Sequence, residues 1–255
     1  MNISKNKEEF HQNGYTIIKG AYTKEEVQDL KEEYEKIWLK KIASGEIQQD
    51  PEKPLNSLYP RQRDLHLKND TILQFAIKRD VLDMIEEIIE EEVDLISTNF
   101  YYKPAGMEGM PFHQDNYGIG VSPGTCHAIW TCLDKAVEQN GGMRFVPGSH
   151  KLELLTPEKF YSQDTDTFAG YVQTLKVPDG YDIVSLETDP GDIVIYHGHA
   201  IHDSTINNSE LDFRNSIICH YSGVSAKKLT LNYNNLVNKK GERVRKRINL
   251  ASFKK

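Results

Sequence analysis

A chain of 255 residues with 38% hydrophobic and 27% charged content is long enough for a large core and has the composition of a globular protein. Its formal charge of −7 speaks against nucleic-acid binding. No apolar run approaches the roughly 18 residues of a membrane helix. The N-terminus MNISKNKEEF lacks the apolar core of a signal peptide. Cys126, Cys132 and Cys219 form no CxxC pair and read as buried reduced thiols, so a cytoplasmic location is expected.

In chain order, residues 4–14 are predicted as a short helix from Ser4 to Asn13-Gly14, followed by a β-prone run Tyr15 to Ile18. Thr23-x-x-Glu26 is a capping box. The helix it opens carries Val27, Leu30, Tyr34, Ile37 and Trp38 at three-to-four spacing and stops near Ser44-Gly45. Residues 46–64 read as loop, broken by Pro51, Pro54 and Pro60. Helical patterns return over 70–78 and 81–91, and the acidic run Glu86 to Glu92 reads as a solvated helix face.

From Val93 the pattern turns to strands: 93–103, 111–117, 126–134, 143–146, 171–176, 182–186, 192–197 and 214–222. Gly/Pro clusters such as Asn140-Gly141-Gly142 and Pro190-Gly191-Asp192 separate them, the texture of a sandwich or barrel. The expected class is therefore α+β, mainly β, with helices bracing a β core. One domain is expected over 1–255: a mainly helical part (1–92), the β core (93–222) and a C-terminal segment (223–255). Between Lys239 and Arg247 six positive charges face one negative, read as a solvated terminal segment.

The chemistry is concentrated at Phe112-His113-Gln114-Asp115. On a strand, His113 and Asp115 would share one face, two corners of a mononuclear metal site. A third ligand must come from far away. The cluster His197-Gly-His-Ala-Ile-His202 supplies candidates, and His202, 87 positions after Asp115 (202 − 115), is the best of them. Two histidines and one carboxylate form the facial triad of non-haem iron(II) oxygenases, which leaves coordination positions open. Nine histidines make one H-x-D match weak alone. Arg214 strengthens it, because a guanidinium in an apolar strand calls for an anionic partner and suits bidentate capture of a carboxylate.

Together these residues resemble the phytanoyl-CoA dioxygenase family of iron(II)/2-oxoglutarate-dependent oxygenases. The likeness rests on Phe112-His-Gln-Asp115, Trp130-Thr-Cys-Leu-Asp134, Asn140-Gly-Gly-Met-Arg-Phe-Val-Pro-Gly-Ser-His150, Gly191-Asp192 and His202-Asp-Ser204 with Asn207 and Arg214. It implies a double-stranded β-helix, or jelly roll, with iron(II) on His113, Asp115 and His202. It implies Arg214 on the distal carboxylate of 2-oxoglutarate, Ser204 assisting, and Trp130 and Asn99 lining the cosubstrate pocket, with Gln114 a further contact. The His-x-Ser context selects His202 over His197 and His199; His197 is then a strand residue near the site and His150 a structural turn residue.

The resemblance also implies the reaction. 2-Oxoglutarate and O2 are consumed, succinate and CO2 are released, and a small-molecule substrate is oxidised. Related halogenating enzymes carry a small residue at the carboxylate position, so Asp115 implies hydroxylation or a similar oxidation. The substrate pocket is expected between Tyr117, the loop before His113, the 46–66 segment and a loop at 156–170. Arg61, Arg63 and His66 could meet a polar or anionic substrate, and of Tyr101 and Tyr102 one is expected to point away. Alternatives are a cupin-like metalloenzyme that ignores 2-oxoglutarate, which would not need Arg214, and a non-catalytic jelly roll. Nothing suggests a nucleic-acid or membrane partner.

Overall fold

A computed structural model of the protein describes residues 3–161 and 172–249. Helix α1 (Ile3–Asn13) leads into strand β1 (Tyr15–Ile18), and α2 (Lys24–Ala43) begins with the expected capping box. There the Glu26 amide donates to the Thr23 hydroxyl at 3.1 Å and the Thr23 amide donates to the Glu26 carboxylate at 2.8 Å. The segment expected as loop over 46–64 holds two short elements, α3 (Pro54–Leu58) and β2 (Gln62–Arg63). Pro54 can start a helix because its missing N–H falls where no intrahelical partner exists. Then come α4 (Asp70–Ala76), α5 (Arg79–Ile89) and β3 (Val93–Tyr101).

The predicted strand 111–117 is not formed. Asp115 instead opens a short helix, α6 (Asp115–Ile119), closed by Gly120 at φ 66°, while His113 makes a single backbone bridge. The remaining strands are β4 (Cys126–Cys132), β5 (Met143–Phe145), β6 (Lys159–Tyr161), β7 (Val172–Thr174), β8 (Val184–Ser185), β9 (Ile193–His197), β10 (His202–Ser204) and β11 (Ser216–Gly223). After them come β12 (Lys228–Leu229), β13 (Leu236–Val237), β14 (Arg243–Val244) and β15 (Arg247–Ile248). Most of the expected pocket loop at 156–170 and the start of the predicted strand 171–176 lie outside the described residues.

The larger sheet runs β1-β9-β4-β11-β3-β13-β14, with β2 paired to β3; the smaller runs β10-β5-β8. Antiparallel pairing throughout these two sheets, packed face to face, is the jelly roll expected. The larger sheet is buried on both faces, with the period-2 alternation dividing its side chains between two cores. Its inner face sets Tyr15, Ala128, Trp130, Val194 and Tyr196 against Met143 and Phe145 of the smaller sheet. Its outer face sets Ile129, Ile193, Ile195, Ile217 and Tyr221 against the helices, through Phe10, Leu30, Tyr34, Ile72, Leu82 and Ile85. The helical stripes read from the sequence are thus the cover of one sheet face.

Two surface readings need correction. The acidic run from the last turn of α5 onward is partly structural: Val93 N donates to Glu86 and Ser225 N to Glu91, and Glu92 pairs with Lys239. The basic C-terminal segment is not simply solvated either. The Lys246 side chain, 7% exposed, pairs with Asp94 at 3.2 Å and donates to the carbonyls of Gly223 and Val224, so it pins the segment carrying β14 and β15 to the sheet. Breaking one partner of a buried pair strands the other charge. Lys246→Met is therefore expected to lower the unfolding free energy by about 3 kcal/mol in a urea titration, with most of the loss recovered when Asp94→Leu is added.

Candidate metal centre

His202 lies in β10, and His113 is bridged to it by two backbone hydrogen bonds, His113 N to His202 O at 3.0 Å and His202 N to His113 O at 3.2 Å. The loop before His113 can lie flat on β10 because residue 109 is glycine; a Cβ there would sit 1.9 Å from Ser204 O. The two rings stand side by side, centroids 4.2 Å apart, with His202 stacked on Phe145. Asp115 reaches the same point from the first turn of α6, which Asn116 anchors by accepting from Val121 N and Cys126 N. The three side chains meet as the sequence suggests, but a strand–helix junction, rather than a shared strand face, brings Asp115 in. Their donor atoms all lie within 4.8 Å of one another.

The histidine tautomers follow from the backbone. His113 Nδ1 is 2.8 Å from Pro111 O and His202 Nδ1 is 2.9 Å from Ala200 O, so each ring donates from Nδ1 to a carbonyl. That leaves the Nε2 lone pairs directed at Asp115 Oδ1, 3.4 Å from His113 and 3.8 Å from His202. Two lone pairs facing an anionic oxygen repel unless a cation stands between them, so the donor set fits a metal ion. Burial alone would raise the Asp115 pKa, but the imidazoles of His220 and His202 hold it well below the usual carboxylate range. Burial, reinforced by His113, pushes His202 down to about 4, which keeps it a neutral ligand. For His113 burial is outweighed by Asp115, which pulls its pKa above the ordinary value: the pair attracts positive charge, proton or metal.

Arg214 lies just before β11 on the inner face, parity-matched with Ser216, Ile218 and His220. It is buried, 3% exposed, and its guanidinium carbon sits 5.7 Å from the Trp130 ring centroid. Its Nη1 donates to Ser216 Oγ, and its Nε has no hydrogen-bond partner among the described residues. Burial lowers its pKa to about 10, so it remains charged at neutral pH. Asn99 faces the same interior with a buried, unpartnered Oδ1. A planar anion is the partner that suits such a guanidinium.

Other expected contacts are redistributed. Gln114 is turned away from its two neighbours and clamps backbone: its Nε2 donates to His199 O at 2.8 Å and its Oε1 accepts from Leu155 N at 2.8 Å. These two bonds make it a tether between loops. Ser204 Oγ accepts from Met110 N and from Lys103 Nζ, each at 3.1 Å, which leaves its hydroxyl proton available. Lys103 went unnoticed in the sequence. It is 4% exposed, runs beneath Gly141, and burial plus the nearby Arg214 bring its pKa down to about 6.

His197 points to the outer face, where it packs with His127 and His150 beside Phe10, and burial lowers its pKa to about 2; it does not flank the site. His150 takes the structural place expected of it, bonded to His11 O. His66 bonds Thr98 Oγ1 on the outer face and does not reach the pocket. Tyr102 also points outward, its hydroxyl donating to Tyr34 O, whereas Tyr101 faces in beside Arg61. Arg63 stacks on Tyr233, 4.5 Å from the ring centroid, and so ties the C-terminal segment to the mouth of the barrel. Cys126, Cys132 and Cys219 are buried and unpaired.

The family model described as Phytanoyl-CoA dioxygenase (PhyH) matches residues 10–216. A rice protein (Oryza sativa subsp. japonica) described as phytanoyl-CoA dioxygenase 1 is 28% identical over 61% of this chain and 54% of its own length. A Caenorhabditis elegans protein described as a probable phytanoyl-CoA dioxygenase is 24% identical over 84% of this chain and 73% of its own. This chain therefore spans about half to three quarters of the curated relatives it matches. The crystal structure of the epimerase SnoN in complex with Fe3+, alpha ketoglutarate and nogalamycin RO has a TM-score of 0.69 at 20% identity, covering 88% of this chain and 85% of that one; it shares the fold.

The reassignment of Gln114 separates stability from ligand binding. Gln114→Leu leaves the Leu155 amide and the His199 carbonyl without their partner and is expected to lower the unfolding free energy by about 2 kcal/mol. The affinity for 2-oxoglutarate, read by titration calorimetry, is expected to change by less than about threefold, under 1 kcal/mol.

Proposed function

The chain belongs to the phytanoyl-CoA dioxygenase family, and on that footing we propose that it is an iron(II)/2-oxoglutarate-dependent oxygenase that hydroxylates a small molecule. His113, Asp115 and His202 hold the iron, and Arg214 receives the distal carboxylate of 2-oxoglutarate. Trp130 and Asn99 line the cosubstrate pocket, and Ser204 assists through its hydroxyl. When bound, iron and 2-oxoglutarate supply the oxidising power, with O2 consumed and succinate and CO2 released. The chain's own residues supply placement: tautomer-locked imidazoles, an ionised carboxylate, and a water-poor interior in which a guanidinium binds carboxylate strongly.

Arg214 carries this reading. It is a buried cation to which no carboxylate among the described residues is hydrogen-bonded, on the face of β11 that also holds His220 beside Asp115. A cupin-like metalloenzyme that ignored 2-oxoglutarate would have no use for it. Asp115 fills the position that halogenating relatives leave small, which supports oxygen insertion. The substrate is polar or anionic in this reading. Arg61, hydrogen-bonded to Tyr101, and Tyr233, whose hydroxyl feels the charge of Asp115, stand together beside the site. The buried reduced thiols fit a cytoplasmic setting.

Iron(II)-loaded protein given 2-oxoglutarate and oxygen is expected to release succinate, slowly alone and faster with the right substrate, as read by chromatography. Asp115→Ala is expected to abolish release, and Arg214→Ala to raise the 2-oxoglutarate KM by about 100-fold through loss of charge-assisted hydrogen bonds. Metal binding and turnover of a substrate without any succinate would favour the cupin-like alternative; metal binding with no turnover at all would favour a non-catalytic jelly roll that keeps the site by descent.

A further inference from the structure

The two oxygens of Asp115 have different neighbours. Oδ1 faces His113 and His202, while Oδ2 lies 3.0 Å from Nε2 of a third imidazole, His220. His220 is 7% exposed and sits in β11 with strands on both sides, opposite Ser97 of β3 and Ala128 of β4. Its Nδ1 is 3.3 Å from Ser97 Oγ, and Ser97 is fully buried. The β3–β11 register slips between His220 and Tyr221, so β3 spends one extra residue there. Ser97, two residues before Asn99 on the same strand, shares its inner face next to His220, and the slip changes the facing only of the residues before it.

One tautomer satisfies both contacts. The Ser97 hydroxyl donates to Nδ1, and Nε2–H donates to Asp115 Oδ2; the reverse tautomer would aim a lone pair at a carboxylate. A fixed donor on Oδ2 holds the carboxylate plane and directs Oδ1 alone toward the histidine pair. Tyr196 is the other polar group close to this carboxylate; burial and then the charge of Asp115 hold its phenol well above the usual range. We propose that His220 is a positioning residue that makes Asp115 a one-oxygen metal ligand, keeping a coordination position clear for cosubstrate or oxygen. This inference rests on the metal site assigned above. Losing the donor frees the carboxylate to rotate and chelate through both oxygens, which weakens the intended geometry and takes up a position that 2-oxoglutarate or oxygen needs.

The test compares His220→Phe, which keeps a ring but no donor, with His220→Gln, whose Nε2 can replace that of the imidazole. Iron(II) affinity is measured anaerobically by titrating metal-free protein, and chelation of 2-oxoglutarate by the visible charge-transfer absorption of the iron complex. Loss of an outer-shell partner to a metal ligand weakens binding by about 10–100-fold, and His220→Phe is expected to fall in that range with a weaker band per bound iron. His220→Gln is expected to restore most of both. A His220→Phe protein with wild-type affinity and a full band overturns the inference, as does failure of His220→Gln to improve on it. Should His220→Phe not fold, Ser97→Ala decides: it removes the group that fixes the tautomer, and unchanged affinity and band there overturn the inference too. Asp115→Ala serves as the reference. If it still binds iron normally, the metal-site assignment itself fails, an outcome distinct from failure of His220 alone.

Discussion

Everything at this site depends on one buried carboxylate that three imidazoles surround. Asp115 stays ionised although burial opposes it, because the imidazoles of His220, His202 and His113 all face it and His220 hydrogen-bonds to it. Two of those rings are committed to backbone carbonyls through Nδ1 and one to a serine hydroxyl, so each presents a defined nitrogen to the carboxylate. The negative charge is thus organised for a cation on one side and satisfied by the Nε2–H of His220 on the other.

The scaffold makes this possible by burying the larger sheet on both faces. Helices cover the outer face, which frees the inner face to carry polar groups among aromatic and aliphatic side chains. Arg214, Ser216 and His220 can stand in the interior because neighbouring strands on each side hold the backbone of β11 without their help. A guanidinium in that interior is tolerable only if something anionic meets it. The interior therefore favours an anionic partner for Arg214.

Much of this was legible in the sequence. The capping box at Thr23, the helical stripes and the main strands from Val93 follow local rules that tertiary packing did not override. His113, Asp115, His202 and Arg214 were legible as a set because their residue types and order are unusual together. The strand expected through Asp115 failed because Asn116 satisfies the amides of Val121 and Cys126 with its side chain, and that local alternative to a ladder favours a turn. Lys103 was hidden by its ordinary setting at a strand end. His220 could have been found: counting by twos from Arg214 through Ser216 and Ile218 reaches it on the same face. The C-terminal strands are two residues long and gain their stability from contacts such as Lys246 with Asp94, which no local pattern announces.

The backbone bridge between His113 and His202 bears on how the site binds its ion. The two ligands are separated by 89 positions (202 − 113) in the chain. In an unfolded chain, a metal joining them would have to close that loop, an entropic cost of about 4 kcal/mol from length alone. Here two hydrogen bonds at the edge of the smaller sheet have closed it already. An ion held there would therefore enter as a guest of a finished fold, unlike a zinc finger's metal, which must assemble its own domain. A site closed in this way could lose a metal and regain it without unfolding between the two states.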